Sequence, residues 1–413
     1  MKLPRILGIN QLADETALAA EDNMFVREAR NVDIDSAGNV SRRAGYKALL
    51  GGSGYHSLYS SERGWLMVAY KNELGVFNTS TNQFVTLVDM GSNYRVSYTE
   101  ENGNLYASSP AFNVYFKPND YEPYPVGAPL PNITPSFAAS YSEGALLAGS
   151  YGITYSIVNP DGEESPLGPI KEIELEEQGS IVGTLFTIAV GYKYRIYLTK
   201  PNGEELYQAA EFDASTTSYT VMEQQGGRQP ETQNLDVTPT GHIIRAFNSR
   251  LLVGDVDFVY FTEAFRPHLH NPAHGFVPVT GMTLMIEPVG GGVFIADRRG
   301  VRFYRGEDPE KWDVREVSPE RVVFGTSAVV PGSFFTGDIA QFDDVAVWLT
   351  ARGYQVGLPT GEVVSLNAGQ VKLPQYVQGC TTYLIRDGRK QLISPVNSNK
   401  LADASVALDS SIN

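Results

Sequence analysis

Three of the five histidines, His268, His270 and His274, share the run His-Leu-His-Asn-Pro-Ala-His. Imidazoles bind first-row metals, and this spacing could set three rings around one ion. It matches no standard zinc spacing. The run reads as a loop between strands, where a polar loop or a subunit contact would use the same residues. These three are the strongest candidate metal ligands, and the overall reading is of a chain with no metal and no cofactor. Adjacent carboxylates occur at Asp343-Asp344 and Glu100-Glu101. A glycoside hydrolase works with two acids, but on facing positions. Neighbours in a strand point to opposite faces, so adjacent acids are poor partners, and Asp343-Asp344 reads as a turn before a strand at Val345.

The densest cationic group is Arg298, Arg299, Arg302, Arg305, Lys311 and Arg315. It could touch phosphates or an acidic neighbour. Asp297, Glu307, Asp308 and Glu310 are interleaved with it, which favours a balanced, solvated face. Gly290-Gly291-Gly292 lacks the Lys-Ser/Thr and the helix of a phosphate loop and reads as a turn. Trp65 and Trp348 sit in apolar runs and are expected in the core. Tyr121 and Tyr124 lie in a Pro-rich stretch and are the better candidates for a partner contact. The one cysteine, Cys380, excludes an intrachain disulfide and fits a reducing compartment. Within a strand-like run it reads as a small apolar residue rather than a nucleophile.

The elements that would hold these residues are strands. Helical periodicity is nearly absent, with one short candidate near residues 14–29. Pairs of alternating apolar runs joined by tight turns recur. They include 65–70 with 74–77, 104–107 with 113–116, 250–254 with 258–261, 292–296 with 301–304, 345–349 with 354–356, and 382–385 with 391–393. The step between copies is roughly 35 to 55 residues, close to the four-stranded blade of a β-propeller. One blade cannot bury both faces alone, and radial stacking covers them. The rhythm changes after a Pro-rich stretch at 111–135 that reads as a linker. Seven or so short strands over about 85 residues then fit a fibronectin-type or immunoglobulin-type sandwich. The polar stretch 224–239 leads back to blade-like sequence. The expected fold is therefore all-β: a propeller with an inserted β-sandwich. Residues 1–135 would hold an N-terminal strand and the first blades, 136–225 the insertion, and 226–413 the remaining blades and the closure.

Composition agrees. The 413 residues include 40 Gly, 24 Pro, 23 Tyr and 19 Phe, a mixture suited to many strands and tight turns. The formal charge of −15 opposes diffuse binding to a nucleic-acid backbone, although an acidic wall would let a polyanion slide past. The acids of the insertion are concentrated at Asp161, Glu163, Glu164, Glu172, Glu174, Glu176 and Glu177, against Lys171. The first residues lack the apolar core of a signal peptide, and no apolar run is long enough to span a membrane. A protein without export or membrane insertion is expected.

Three stretches resemble a known family. Gly8-Ile9-Asn10, Ala29-Arg30-Asn31-Val32-Asp33 and Gly38-Asn39-Val40-Ser41-Arg42-Arg43-Ala44-Gly45-Tyr46 resemble the opening of the β-propeller tail nozzle proteins of short-tailed bacteriophages, the tail tubular or packaged-DNA stabilisation type. Asn159-Pro160-Asp161-Gly162-Glu163-Glu164-Ser165-Pro166 with Tyr194-Arg195-Ile196-Tyr197 is similar to that family's fibronectin-like insertions. Val259-Tyr260-Phe261-Thr262-Glu263 and Arg299 to Trp312 look like its blades. The resemblance implies an N-terminal strand that helps close the propeller. It also implies a homohexameric ring at the distal end of a virion tail, assembled in the host cytoplasm and contacting a tail adaptor, fibre or other tail proteins. DNA would pass through without sequence-specific binding and be retained until ejection. No catalysis is expected. The rivals are a tail receptor-binding or baseplate protein and, further off, a propeller glycoside hydrolase.

Overall fold

The computed structural model describes residues 5–397, apart from 21–22, 36, 44, 46–52, 62, 132–135, 225, 368–369, 375 and 387–388. Ala44, Tyr46, Pro135, Gln225, the turn residues Asp387 and Gly388, and 398–413 of the last expected domain thus lie outside the described residues. The protein is all-β. The only α-helix among the described residues is one turn, Glu15–Leu18, and none is long and apolar enough to cross a membrane. The short helical candidate near 14–29 holds one helical turn, Glu15–Leu18, followed by strands at Ala19–Ala20 and Asn23–Val26.

Among the described residues five antiparallel meanders follow one another as blades. Blade 1 runs through Tyr55–Ser60, Leu66–Tyr70, Glu73–Asn78 and Gln83–Asp89. Blade 2 is Ser97–Glu101, Asn104–Ser109, Phe112–Phe116 and Tyr124–Pro125. Blade 3 is Ile243–Phe247, Arg250–Gly254, Phe258–Glu263 and Arg266–His270, with Phe276–Pro278 and Asp236–Val237 paired onto it. Blade 4 is Met285–Val289, Gly292–Asp297, Gly300–Arg305 and Asp313–Ser318. Blade 5 is Ala328–Pro331, Asp344–Thr350, Gly353–Gly357 and Val363–Ser365. The opening strands of blades 2, 3, 4 and 5 lie beside one another, so chain order is also spatial order. The Pro-rich stretch is a correction: residues 112–116 and 124–125 are the last strands of blade 2, and the link to the insertion starts only after Pro125. Proline is tolerated there because the outer strand of a blade has one unpaired edge.

Alternation explains the burial. Met67, Leu74, Leu105 and Phe116 pack between blades 1 and 2, and Tyr106, Tyr115, Ile244 and Leu251 between blades 2 and 3. Ile286, Phe294, Phe303 and Trp348 belong to a core that runs through blades 3 to 5. Trp348 is completely buried, and its ring lies 5.5 Å from that of Phe294.

The insertion has seven strands in two sheets. Ser136–Ser140, Ser180–Thr184 and Ser218–Val221 form one. Lys171–Leu175, Gly149–Val158, Lys193–Thr199 and Leu206–Asp213 form the other. Tyr151, Ile153, Tyr155 and Ile157, at alternate positions of one strand, fill the space between them. The opposite face of that strand is buried too, because residues 163–168 fold back over it: Ser156 Oγ donates to Glu164 Oε1 at 2.6 Å and Thr154 Oγ1 to the Gly168 carbonyl at 2.7 Å.

Two hairpins meet at a seam beside blade 5. One is Val32–Ile34 with Val40–Arg42, from the stretch that carries the family resemblance; the other is Thr382–Arg386 with Arg389–Ile393. Gln391 donates to Asp33 and Arg389 to Ser41, both at 3.3 Å. Tyr354 donates to Ser394 at 2.7 Å and Lys390 to the Ser333 carbonyl at 2.6 Å, which attaches the second hairpin to blade 5.

Candidate functional site

The opening strands place polar groups where the blades converge. Ile-Ile-Arg-Ala-Phe (Ile243–Phe247) and Met-Ile-Glu-Pro-Val (Met285–Val289) each carry one charge within an apolar run. Blade order brings the two charges together. Arg245 Nη2 donates to Glu287 Oε1 at 2.8 Å and Arg245 Nε to Oε2 at 3.2 Å, a two-pronged pair. Ser327, at the entry to blade 5, donates to Oε1 at 2.7 Å, and Arg245 Nη1 donates to Ser97 Oγ of blade 2 at 3.2 Å. One cluster thus ties four consecutive blades. Glu287 is 1% exposed. Burial opposes the charge on Arg245, yet the Glu287 carboxylate outweighs it and holds the guanidinium above its ordinary pKa. Both oxygens of Glu287 accept hydrogen bonds, which suits a fixed tie better than proton transfer.

Nearby, Tyr59 of blade 1 donates to Glu100 Oε1 at 3.0 Å, and Arg63 pairs with Oε2 at 3.2 Å. Burial, followed by the Glu100 charge, pushes the Tyr59 pKa well up. Arg95 enters the same region from the link between blades 1 and 2. Both its Nη atoms point at the Gly379 carbonyl, at 3.4 Å each, and its guanidinium lies 4.9 Å from the Phe324 ring. Gly325 has φ +78°, and a Cβ there would fall on that guanidinium. Glycine is needed at this position for both reasons. Arg95 forms no ion pair within 4 Å among the described residues, and burial lowers its pKa.

A second constellation joins the insertion to the blades. Asp161, on the insertion's Asn-Pro-Asp-Gly turn, accepts from Tyr115 at 2.7 Å and from Lys117 at 2.9 Å, both on blade 2. These bonds, that from Lys117 first, hold its carboxyl below the usual range. Glu163 Oε1 lies 3.6 Å from His268 Nδ1 on blade 3, too long for a hydrogen bond. Burial raises the Glu163 pKa and depresses that of His268 to about 4, so the imidazole is neutral at physiological pH. Glu164 turns inward and accepts from Ser156 and from Tyr197, at 2.6 and 2.5 Å, while also pairing with Arg195.

The histidine run is not the loop expected. His268 and His270 lie in the strand Arg266–His270 and are buried, while His274 is exposed in the following turn. Among the described residues no three His, Cys, Asp or Glu side chains are arranged to hold a metal. Asp343 and Asp344 are exposed at the start of a strand, and Glu100 and Glu101 follow one another along another. In the cationic group, Arg302 pairs with Asp297 and Lys311 with Asp308, while Arg298, Arg299, Arg305 and Arg315 are exposed. Gly290 and Gly291 form the turn between the first two strands of blade 4. Tyr121 and Tyr124 are already engaged: Tyr121 packs edge-on against Trp65 at 5.5 Å, and Tyr124 donates to Asp120 at 3.0 Å beneath the Lys117 ammonium. Trp65 is in the core, as Trp348 is. Cys380 is exposed rather than an apolar core residue.

No family model matches the sequence, and no curated protein matches it. Among solved structures, the chain is similar to the extracellular domain of the hybrid two component system BT4673 from B. thetaiotaomicron, at 11% identity and a TM-score of 0.25, over 87% of this chain and 57% of that one. It is similar to PorZ, a surface component of the type-IX secretion system of Porphyromonas gingivalis, at 11% identity and 0.21, over 86% and 52%. A third is the AfRom2 CNH domain, at 11% and 0.18, over 73% and 92%. The chain thus spans little more than half of the first two, and likenesses at this level assign it no role. What its own strands establish is an all-β fold of propeller blades with an inserted β-sandwich.

Proposed function

We propose that the chain is a structural virion protein, a distal tail nozzle that forms a homohexameric ring around the DNA channel and retains packaged DNA until ejection. The observation that carries the reading is the place of the Arg30-to-Arg43 stretch. Residues 32–42, within the stretch that resembles the nozzle family's opening, fold into a hairpin at the seam, bonded to the last described hairpin. A propeller with a sandwich inserted between two blades, and an N-terminal stretch that helps close it, is the arrangement that the resemblance implies. The charge of −15 supports it, since DNA slides along an acidic wall more readily than it sticks. The role is mechanical: it asks for rigid blades and subunit contacts, and for no catalytic step, metal or cofactor. Tail adaptor and fibre proteins are the proposed neighbours, and the virion tail, built in the host cytoplasm, is the proposed location.

A receptor-binding role is the second reading, and Phe265 favours it. This side chain is 78% exposed at a hairpin tip, with φ +60°, a conformation that bulky residues rarely hold without a use. Electron microscopy of the protein bound to its tail neighbours separates the two. A six-fold ring with an open axial channel supports the nozzle. A trimer or monomer that captures host-surface material overturns it in favour of receptor binding.

A further inference from the structure

One end of the blade axis carries an open groove of about 270 Å³, between blades 3, 4 and 5. It begins one residue beyond the Arg245–Glu287 tie, at Ala246 and Pro288. Phe247 and Asn248 of blade 3, Glu307 of blade 4 and Asp344 of blade 5 belong to its lining. The rim is held in place. Asn248 and Ser249 both have left-handed backbone, at φ +46° and +59°, and Asn248 Nδ2 donates to the Glu307 carbonyl at 3.0 Å, bridging two blades.

The charged side chains of the lining are two carboxylates. Glu307 and Asp344 are exposed, and neither forms an ion pair within 4 Å among the described residues. The cations of the neighbouring turns are held elsewhere: Asp308 takes Lys311 at 3.0 Å and Arg250 at 3.8 Å. Arg305 adjoins Gly306 in the chain but is not part of the lining. Like charges in one groove repel, and a cation between them turns that repulsion into attraction.

Phe265 stands at the same rim. Its N–H donates to the Ser249 carbonyl at 2.8 Å, which sets this hairpin tip beside the turn that lines the groove, with the ring in solvent. A guanidinium uses both kinds of group at once: it stacks on an aromatic face and donates paired N–H bonds to a carboxylate. An ammonium offers only a point charge. A metal ion is the poorer occupant, since no third His, Cys, Asp or Glu ligand is at hand among the described residues.

We infer that this groove is a docking site for an arginine side chain of a protein partner, with Glu307 and Asp344 taking the guanidinium and Phe265 packing on the segment that carries it. The inference deepens the proposed function by naming a surface that meets a neighbour, and it rests on that reading only for which neighbour that is. Fluorescence anisotropy of the full chain with a labelled Gly-Arg-Gly-Arg-Gly peptide in low salt tests it. The same peptide with lysine, or with uncharged citrulline, in place of arginine serves as the comparison. Three variant proteins are measured. One carries Glu307→Gln and Asp344→Asn, and one carries Phe265→Ala. The third carries Glu172→Gln and Glu174→Gln, exposed acids of the insertion, as a control for general acidity. An unchanged Tm for each verifies the fold. The arginine peptide is expected to bind the wild type, to weaken by about tenfold or more in the groove double variant and by about threefold in Phe265→Ala, and to change by less than about twofold in the control. The lysine peptide is expected to bind less tightly, and the citrulline peptide not at all. No binding to the wild type, an equal loss in the control, or lysine or citrulline binding as tightly as arginine each overturns the site. The ring and its channel do not depend on this groove. A six-fold ring without arginine binding would therefore overturn the site and leave the nozzle reading standing.

Discussion

The blade axis and the seam are both places where distant parts of the chain meet, yet they are built in opposite ways. At the axis, the buried Glu287 is held by Arg245 and Ser327, Arg245 also reaches Ser97, and the cluster ties four blades. At the seam, two short hairpins touch through exposed side chains, and apolar residues remain in solvent. Buried ion pairs cost desolvation and stabilise only as a complete set, so they fix one geometry. Exposed contacts fix little and are replaced easily. The axis therefore fixes how the blades meet, and the seam constrains its two hairpins far less.

The largest test of this contrast is Glu287→Ala. It leaves a mostly buried guanidinium without its carboxylate and is expected to cost about 2–4 kcal/mol, read from the midpoint of urea unfolding. A loss below about 1 kcal/mol would make the axis no stronger than the seam.

Acid tests the insertion junction, intermediate between the two. His268 has a folded pKa of about 4, below its ordinary 6.5. Between these values the unfolded chain binds the proton and the folded chain does not, so stability is present above pH 6.5 and is lost as pH falls toward 4. The ceiling is on the order of 3 kcal/mol. Glu163 works the other way, because burial raises its pKa and the folded form takes up its proton first. Calorimetry across this window should show a net fall in Tm that His268→Gln flattens. An unchanged slope in the variant would remove His268 from the explanation.

Gly325→Ala combines a left-handed backbone position with a collision against Arg95 and should cost about 1–2 kcal/mol by thermal unfolding. Gln391→Ala removes one seam hydrogen bond and should cost only about 0.5–1 kcal/mol in the same assay. If the order of these two is reversed, the seam carries more of the fold than its exposure indicates.

The second and third strands of each blade were legible because they alternate cleanly and are joined by two- to four-residue turns, as in 292–296 with 301–304. The opening strands were not. Ile243–Phe247 has an arginine at its centre, and Met285–Val289 has Glu287 followed by a proline, so neither alternates visibly. Those same irregularities form the axial cluster, and the available signal was their position, a few residues ahead of each legible pair. The acids of the insertion were visible as one run but divide in space: Asp161, Glu163 and Glu164 serve the junction and the interior, whereas Glu172, Glu174, Glu176 and Glu177 face solvent. Sequence spacing could not separate them, because the division depends on a turn that folds back over its own strand. The prolines of 111–125 misled for a similar reason, since an outer strand tolerates them.

The seam also decides how the molecule responds to force. The hairpin at residues 32–42 and that at 382–393 are joined to each other by side-chain hydrogen bonds, not by a shared ladder of backbone bonds. Tension applied between the two hairpins loads these side-chain bonds. Scattered side-chain bonds yield one by one, whereas a backbone ladder pulled along its strands must break many bonds together. Under a pull between the two hairpins, their joint therefore yields before the backbone ladder within either of them.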